Sequence, residues 1–302
     1  MTSTTLTRRK QWNVYKTREL LGKLSIHMVL TLIGLACLIP MLLVISVSFS
    51  EEKALAVQGY QLLPVEFTTF AYEYILTNPQ QILQAYGVTI FVTTVGTALG
   101  LIVCSLLAYP LARKDFKLRG VLSFYVFFTM LFSGGMVPFY ILVTQYLGWK
   151  DNILALIVPY LATAWYVLIL RTSFAQLPTE LLEAARIDGA GEWRIFFQIV
   201  LPLSKPVLAT IGLFYILRYW NDWFMALLFV NDPNLYPLQY LLQVLMRNIN
   251  FLSSNPQTMG EPIPTSSARM AMAVLAFGPA LFAFLLLQQY FIRGITIGSL
   301  KG

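Results

Sequence analysis

A run of 24 residues without an acidic or permanently basic side chain, 24–47, constrains this chain more than any other feature. At about 1.5 Å per residue, a helix of that length crosses a hydrocarbon core of about 30 Å. The run is longer than the apolar core of a secretory signal, about 7–15 residues, so we interpret it as an uncleaved span. With five similar runs, it predicts six transmembrane helices, at about 24–47, 85–110, 121–143, 153–170, 206–230 and 270–292.

Composition and charge support a membrane location. The chain is 57% hydrophobic and 12% charged, whereas soluble domains average about 25% charged residues. Six spans place sixteen of the 21 Lys and Arg residues on one side of the membrane and four on the other, with Arg218 inside a span. This asymmetry indicates the cytoplasmic side rather than a nucleic-acid surface. It predicts a basic cytoplasmic segment 1–23, a six-span domain 24–292 and a cytoplasmic tail 293–302.

Enzymatic and metal-dependent functions have little support in the sequence. Cys37, Cys104 and the single histidine His27 offer no metal-ligand spacing, and the chain has no GxxxxGK[ST] phosphate loop. We therefore expect no metal and no cofactor in this chain, so that any ATP would be bound by another protein. An ATP-independent secondary transporter, which typically has inverted repeats, is supported only by Arg218 and Asp222.

The segment 174–203 is the most patterned region between the predicted spans. Its sequence predicts a short helix over Thr179–Asp188, a bend at Gly189, and a second helix over Glu192–Val200 that Pro202 ends. Such a unit suits a lever that docks a partner protein. An amphipathic helix lying on the membrane surface is equally compatible with the physical pattern.

The same segment resembles the EAA loop of ABC importer permeases, with the pattern EAA-x3-G-x9-I-x-LP. Every fixed position is matched, by Glu183, Ala184, Ala185, Gly189, Ile199, Leu201 and Pro202. The stretch 220–224 (WNDWF) and the tail 293–302 resemble the smaller permease subunit of maltose-type carbohydrate transporters. The resemblance implies an all-α integral membrane protein with the type I importer (MetI-like) fold. It also implies a cytoplasmic coupling helix, in which the matched residues and Asp188 couple transport to an ATPase.

The resemblance further implies a function and a set of partners. The chain would form half of the translocation pathway for a sugar or oligosaccharide, including larger or acidic ones, in a bacterial cell membrane. The partners would be a second permease subunit, two ATP-binding-cassette ATPase subunits that bind ATP and Mg, and an extracytoplasmic solute-binding protein. A permease for another solute, such as a peptide, would contain the same loop and remains an alternative.

Two further groups of residues are candidates for contact with substrate or with the binding protein. Trp and Tyr offer sugars both apolar faces and hydrogen-bonding groups, so the pathway candidates are Tyr215, Tyr219, Trp220, Asn221, Asp222 and Trp223. A competing interpretation is that Arg218 and Asp222, four residues apart, form an ion pair that locks this span to the partner. In the long outer loop 231–267, the resemblance implies contact with the binding protein at Asn255, Pro256, Glu261 and Pro262.

Overall fold

The computed structural model of the protein describes residues 3–254, 264–279 and 281. The regular elements in these residues are helices, and the one β pairing among them is an isolated bridge between Ser50 and Phe67. The chain divides into two compact units. One consists of Met1–Ile75 and Leu252–Val274, and the other of Leu76–Phe251 and Leu275–Gly302.

The first unit contains the long helix α1 (Ser3–Ser48) and two short helices, α2 (Glu52–Gln58) and α3 (Phe70–Ile75). Within α1, Gly22–Ser48 is apolar and long enough to cross a membrane, and its most apolar window has no buried residues. A helix that is apolar on all sides and exposed over most of its length requires an apolar surrounding. Gly22–Ser48 agrees in length and composition with the first predicted span, 24–47.

Glu52 in α2 caps the start of the last described helix, α15 (266–279). Its carboxylate accepts hydrogen bonds from the backbone N–H groups of Ser266 (2.9 Å) and Ser267 (3.0 Å) and from the hydroxyl of Thr265 (2.8 Å). An anion at a helix N-terminus is stabilised by the unpaired N–H groups there. Burial opposes ionisation of Glu52, but these hydrogen bonds outweigh it and hold its pKa below the ordinary value of 4.5.

Most of the remaining helices belong to the second unit. The helices are α4 (Pro79–Ala112), α5 (Arg119–Leu131), α6 (Met136–Ile141), α7 (Leu154–Ile157), α8 (Ala164–Phe174), α9 (Thr179–Ile187), α10 (Glu192–Ile195), α11 (Leu201–Leu203), α12 (Lys205–Trp220), α13 (Phe224–Phe229) and α14 (Leu238–Ser254). Short π-helical turns, Leu142–Tyr146 and Phe196–Val200, extend α6 and α10. The 3₁₀ turns are Val158–Tyr160, after α7, and Pro233–Leu235.

Among the described residues, two unbroken helices are long and apolar enough to cross a membrane, and three other candidate spans are bent. The straight ones are Gly22–Ser48 and Pro79–Ala112. The bent pairs are Arg119–Leu131 with Met136–Tyr146 (110°), Leu154–Tyr160 with Ala164–Phe174 (44°), and Glu192–Leu203 with Lys205–Trp220 (81°). The described residues thus contain two spans, or up to five if each pair is one span, and most of the predicted sixth span lies outside them.

Two glycines of α4 let α12 approach it closely, as the GxxxG spacing predicts. A Cβ atom added at Gly96 would lie 2.4 Å from the ring of Tyr219, and one at Gly100 would lie 2.7 Å from the ring of Tyr215. Both tyrosine side chains are fully buried, at 2% and 0% exposure. The glycines therefore form the sockets into which these two rings pack.

The two tyrosines also hold the broken span formed by α7 and α8. The hydroxyl of Tyr219 donates to the carbonyl of Ile157 (2.8 Å), and that of Tyr215 donates to the carbonyl of Leu161 (2.9 Å), where the helix is interrupted. Cys104 of α4 also donates to the Leu161 carbonyl. Backbone groups freed inside a bilayer must be satisfied by the protein, and these side chains satisfy two of them.

Asp151 joins the turn before α7 to the end of α13. Its carboxylate accepts hydrogen bonds from the backbone N–H groups of Asn231 and Asp232, and its own N–H donates to the carbonyl of Phe229 (2.8 Å). The hydrogen bond from the N–H of Asn231 is the largest cause of the lowered pKa of Asp151, and the bond from the N–H of Asp232 lowers it further. The ring of Phe229 packs against Phe139 and Tyr140 of α6, so α6 and α13 are neighbours.

Replacing Gly96 with alanine should destabilise the protein, because the added methyl group overlaps a ring that is buried and hydrogen-bonded. Overpacking of this kind costs about 1–3 kcal/mol. Gly87→Ala on the same helix is the matched control, since a Cβ at Gly87 meets nothing within 4 Å. Equilibrium unfolding in detergent micelles measures both variants. Equal stability of the two would contradict the close packing described here.

Glu52→Gln should lower thermal stability at neutral pH, because the helix cap loses its negative charge. The folded-state pKa of Glu52 is depressed, so the charged cap contributes fully above the ordinary value of 4.5. Its contribution is lost as the pH falls through the lower folded-state pKa. The melting-temperature difference between wild type and Glu52→Gln should be constant above about pH 5.5 and shrink below 4.5. A difference independent of pH would count against the charge effect.

Candidate functional site

Helix α9 contains the EAA residues and has two distinct faces. Leu182 and Ala185 are half-buried and pack against the core of the unit. Glu183, Ala184 and Ile187 lie on the opposite face, and Ile187 is 86% exposed. The exposed face thus combines a carboxylate, a small residue and an uncovered apolar side chain.

The turn after α9 depends on Gly189. Its φ of 79° lies in the left-handed region that glycine adopts without strain, as the predicted bend requires. Asp188, the residue before it, is exposed. The N–H of Gly189 donates to the carbonyl of Arg186 (3.0 Å), and that of Ala190 donates to the carbonyl of Ala185 (2.9 Å). These bonds pair backbone carbonyls at the C-terminal end of α9, and the turn leads the chain into α10.

The sequence predicts that the second helix of the loop ends at Pro202. In the structure it does not end there. It continues as one stretch, Glu192–Leu203, and bends by 81° before Lys205. The π-helical turn Phe196–Val200 shifts the hydrogen-bond register just before the proline, and Pro202 then occupies the first turn of α11, where its missing N–H costs little. Ile199 and Leu201 are half-buried, whereas Pro202 is exposed.

Four charged side chains tie α9 and α10 to the end of α4. Arg113 contacts Asp115 (2.5 Å) and Glu192 (2.7 Å), and Arg186 contacts the same two carboxylates at 3.0 Å each. The hydroxyl of Tyr109 donates to Glu192 (2.7 Å) and accepts from Arg113 (2.9 Å). We call these four residues, Arg113, Asp115, Arg186 and Glu192, the charge ring.

The charge ring alternates in sign, so each group stabilises the charged form of its neighbours. The hydrogen bond with Asp115 raises the pKa of Arg113 above its usual range, and the same bond lowers the pKa of Asp115. The Arg113 side chain is only 11% exposed, whereas that of Arg186 is 38% exposed. Arg113 is therefore the anchored member, and Arg186 links α9 to it through more mobile contacts.

The structure separates five of the six pathway candidates into two groups, and the sixth, Asp222, is half-buried. Tyr215, Tyr219 and Trp220 are buried within this chain, where the tyrosines bind backbone carbonyls and Trp220 donates to the carbonyl of Ala276 (2.9 Å). Asn221 and Trp223 are exposed at the break between α12 and α13. Only Asn221 and Trp223 thus present a largely accessible side chain, and their role in a pathway stays a prediction.

Arg218 and Asp222 form no ion pair in the described part of the chain. The Arg218 guanidinium lies 4.0 Å from the centre of the Tyr160 ring, a cation–π geometry. The carboxylate of Asp222 instead accepts hydrogen bonds from the N–H groups of Phe224 (3.1 Å) and Met225 (3.4 Å) and so caps α13. The predicted binding-protein contacts Asn255, Pro256, Glu261 and Pro262 lie outside the described residues.

Comparison with known proteins identifies the family. The family profile described as "Binding-protein-dependent transport system inner membrane component" matches residues 96–297, which include the charge ring and the EAA loop. The chain belongs to this family. It is thus a membrane component of ABC transport, a permease subunit rather than an enzyme.

Individual relatives of the permease are similar over nearly its whole length. Protein LplC of Bacillus subtilis is 42% identical over 89% of this chain and 91% of the relative. The polygalacturonan/rhamnogalacturonan transport system permease protein YtcP of the same organism is 40% identical over 90% and 96%. A solved bacterial ABC transporter involved in import of the acidic polysaccharide alginate has a TM-score of 0.75, with 28% identity over 90% of this chain and 96% of that one.

Two features of the permease escaped the sequence analysis. Ile187 lies within the predicted helix Thr179–Asp188, and only its angular offset from Leu182 and Ala185 signals that it points outward. The charge ring joins residues 79 positions apart in sequence, Arg113 and Glu192, so no local pattern could reveal it. Within the described residues, no group of three or more His, Cys, Asp or Glu side chains could hold a metal ion.

Arg113→Ala should destabilise the permease more than Arg186→Ala. Loss of the nearly buried guanidinium removes hydrogen bonds to charged partners, worth about 1.5–3 kcal/mol, whereas exposed pairs such as those of Arg186 contribute about 0.2–1 kcal/mol. Lys114→Ala, at an exposed neighbouring cation, is the control and should change stability by less than about 0.5 kcal/mol. Unfolding in detergent micelles tests this order, and equal losses for the two arginines would refute it.

Proposed function

We propose that this permease forms one half of the translocation pathway of a bacterial oligosaccharide importer and receives its driving force through α9. The observation that carries the proposal is the geometry of α9. Its inner face is packed on the core and tied by Arg186 to the charge ring, while its outer face presents Glu183, Ala184 and Ile187 to a partner. A helix held on one side and open on the other can transmit a displacement.

The relatives support a carbohydrate as the substrate. Their names specify polygalacturonan and rhamnogalacturonan for one and trehalose and maltose for another, while the structural neighbour is an importer of alginate. Galacturonans and alginate both consist of sugars that bear carboxylates. We therefore assign this permease an oligosaccharide and, more specifically, an acidic one.

The proposed assembly contains a second permease subunit, two ATP-binding-cassette ATPase subunits and an extracytoplasmic solute-binding protein. ATP and Mg would be bound by the ATPases, and this chain would hold no cofactor. Six spans with both termini in the cytoplasm would place α9 and the charge ring beside the ATPases. The exposed apolar surface of α5, which has no buried residues, supports a location against lipid or the second permease.

The mechanism follows from the order of the contacts. ATP binding would draw the two ATPase subunits together, and each would displace the α9 helix seated on it. The charge ring connects α9 and α10 to α4, which in turn contacts α12 through Gly96 and Gly100. The displacement would thereby reach the spans and expose the pathway alternately to the two sides of the membrane.

Glu183→Lys should abolish coupling, because it reverses the charge of an exposed EAA residue on the outer face of α9. In the complete transporter in proteoliposomes, we expect ATP-dependent uptake of trigalacturonate to fall at least about tenfold, the effect of losing about 1.4 kcal/mol of directed interaction. The matched control is Glu180→Lys, which makes the same exchange at an exposed residue one turn earlier. It should retain most of the uptake.

Both variants should assemble, since neither position is buried. Wild-type uptake and ATPase stimulation in Glu183→Lys would contradict the role assigned to α9. Loss of uptake in Glu180→Lys to the same extent would indicate a general requirement for negative charge instead of a specific contact at Glu183.

A further inference from the structure

The interruption between α5 and α6 differs from the one between α7 and α8 because no side chain closes it in the part of the chain that the structure describes. Residues 132–135 are non-helical, the two flanking helices meet at 110°, and Gly135 has a φ of 87°. All four residues, Phe132, Ser133, Gly134 and Gly135, are exposed. The break between α7 and α8, by contrast, is closed by the buried hydroxyls of Tyr215 and Tyr219.

The backbone of this interruption has polar groups that the described residues leave unpaired. The N–H of Gly135 donates to the hydroxyl oxygen of Ser133 (3.2 Å), and that of Phe132 donates to the carbonyl of Phe128 (3.0 Å). The N–H groups of Ser133 and Gly134 have no acceptor in the part of the chain that the structure describes. These donors are therefore available to another molecule.

The interruption also lies at membrane depth under the proposed topology. Helix α5 has 13 residues and begins at Arg119, so it rises roughly 20 Å from the charged inner loop, at about 1.5 Å per residue. The hydrocarbon core is about 30 Å thick. Unsatisfied backbone inside that core is tolerated only where it lines a water-filled cavity or is buried in protein, never against lipid.

A second broken helix meets the first one at this point. Small-ligand sites have volumes of about 300–1,000 Å³. Here a cleft of ≈ 480 Å³ is bordered by Ser133, Gly134 and Gly135 on one side and by Phe224 and Met225, at the start of α13, on the other. Phe139 forms part of the same wall. The cleft therefore combines free backbone donors and one hydroxyl with aromatic and thioether surfaces.

We propose that this cleft is a carbohydrate subsite of the translocation pathway. The N–H groups of Ser133 and Gly134 and the Ser133 hydroxyl would bond the hydroxyls of one sugar unit, while Phe224 and Phe139 would contact its C–H face. The inference rests on the proposed function and deepens it, because it assigns direct substrate contact to this subunit. Discontinuous helices that meet in mid-membrane are a recurrent way to build such sites.

Cysteine accessibility in the complete transporter tests whether the cleft contains water and sugar. In a Cys37→Ser background, Ser133→Cys is treated with a charged, membrane-impermeant thiol reagent; the remaining Cys104 is buried. Phe124→Cys, an exposed position on the same helix, is the control for a lipid-facing site. We expect Ser133→Cys to react and Phe124→Cys to stay unmodified. Trigalacturonate at about ten times its Kd should slow the Ser133→Cys reaction about tenfold.

A second pair of variants tests the cleft without chemical modification. A Cβ at Gly134 would meet only Pro138, at 3.9 Å, and one at Gly120 would meet nothing within 4 Å. Both positions thus accept a side chain, but only Gly134→Leu fills the cleft. Uptake of trigalacturonate at low concentration should fall about tenfold in Gly134→Leu, for a loss near 1.4 kcal/mol. Gly120→Leu should transport like wild type.

The outcomes separate this inference from the proposed function. If the wild-type complex transports neither trigalacturonate nor maltotriose, the proposed function fails, whatever the labelling shows. If the wild type transports sugar but Ser133→Cys is unreactive with and without ATP, the second permease covers the cleft and the subsite is refuted. Labelling that sugar does not slow, together with normal uptake by Gly134→Leu, refutes it as well.

Discussion

The fold of this permease depends on how it satisfies backbone groups where its spans are broken. Between α7 and α8 the solution is internal: Tyr215 and Tyr219 donate to the Leu161 and Ile157 carbonyls at 2.9 and 2.8 Å. Those hydroxyls reach their targets only because Gly96 and Gly100 have no side chains to keep the rings away. Helix α4, helix α12 and the broken span are therefore joined through the same two tyrosine side chains.

The same constraint gives a different result between α5 and α6. There the N–H groups of Ser133 and Gly134 have no acceptor among the residues that the structure describes. A protein that closes one break with buried hydroxyls and leaves another open uses the two for different purposes. The closed break fixes α4 and α12 in register, whereas the open one, beside Phe224 of α13, is free to exchange hydrogen bonds with whatever passes through.

Sequence and structure agree where a feature is local. The length of the apolar runs predicts the unbroken spans. Gly96 and Gly100 predict the close approach of α12 to α4, and Gly189 predicts the bend after α9. The sequence could not locate the interruption before α8, because no proline or glycine lies within residues 161–163 and the tyrosines that stabilise it are more than 50 residues away. Pro202 was misinterpreted for a related reason: a π-helical turn, which has no sequence signature, makes the proline acceptable. The helix α14 inside the outer loop was likewise missed.

The charge ring adds exchangeable ionic contacts to the apolar packing of Leu182 and Ala185, which holds α9 on the core. Each exposed pair contributes little free energy, so the pairs of Arg186 with Asp115 and Glu192 can exchange partners at low cost. Arg113, nearly buried and bonded to Tyr109 of α4, keeps the ring attached to the span while those exchanges occur. An apolar joint would have to lose buried area to move, at about 25 cal/mol per Å². A ring with one fixed and one mobile cation therefore allows α9 to change its angle without separating from α4.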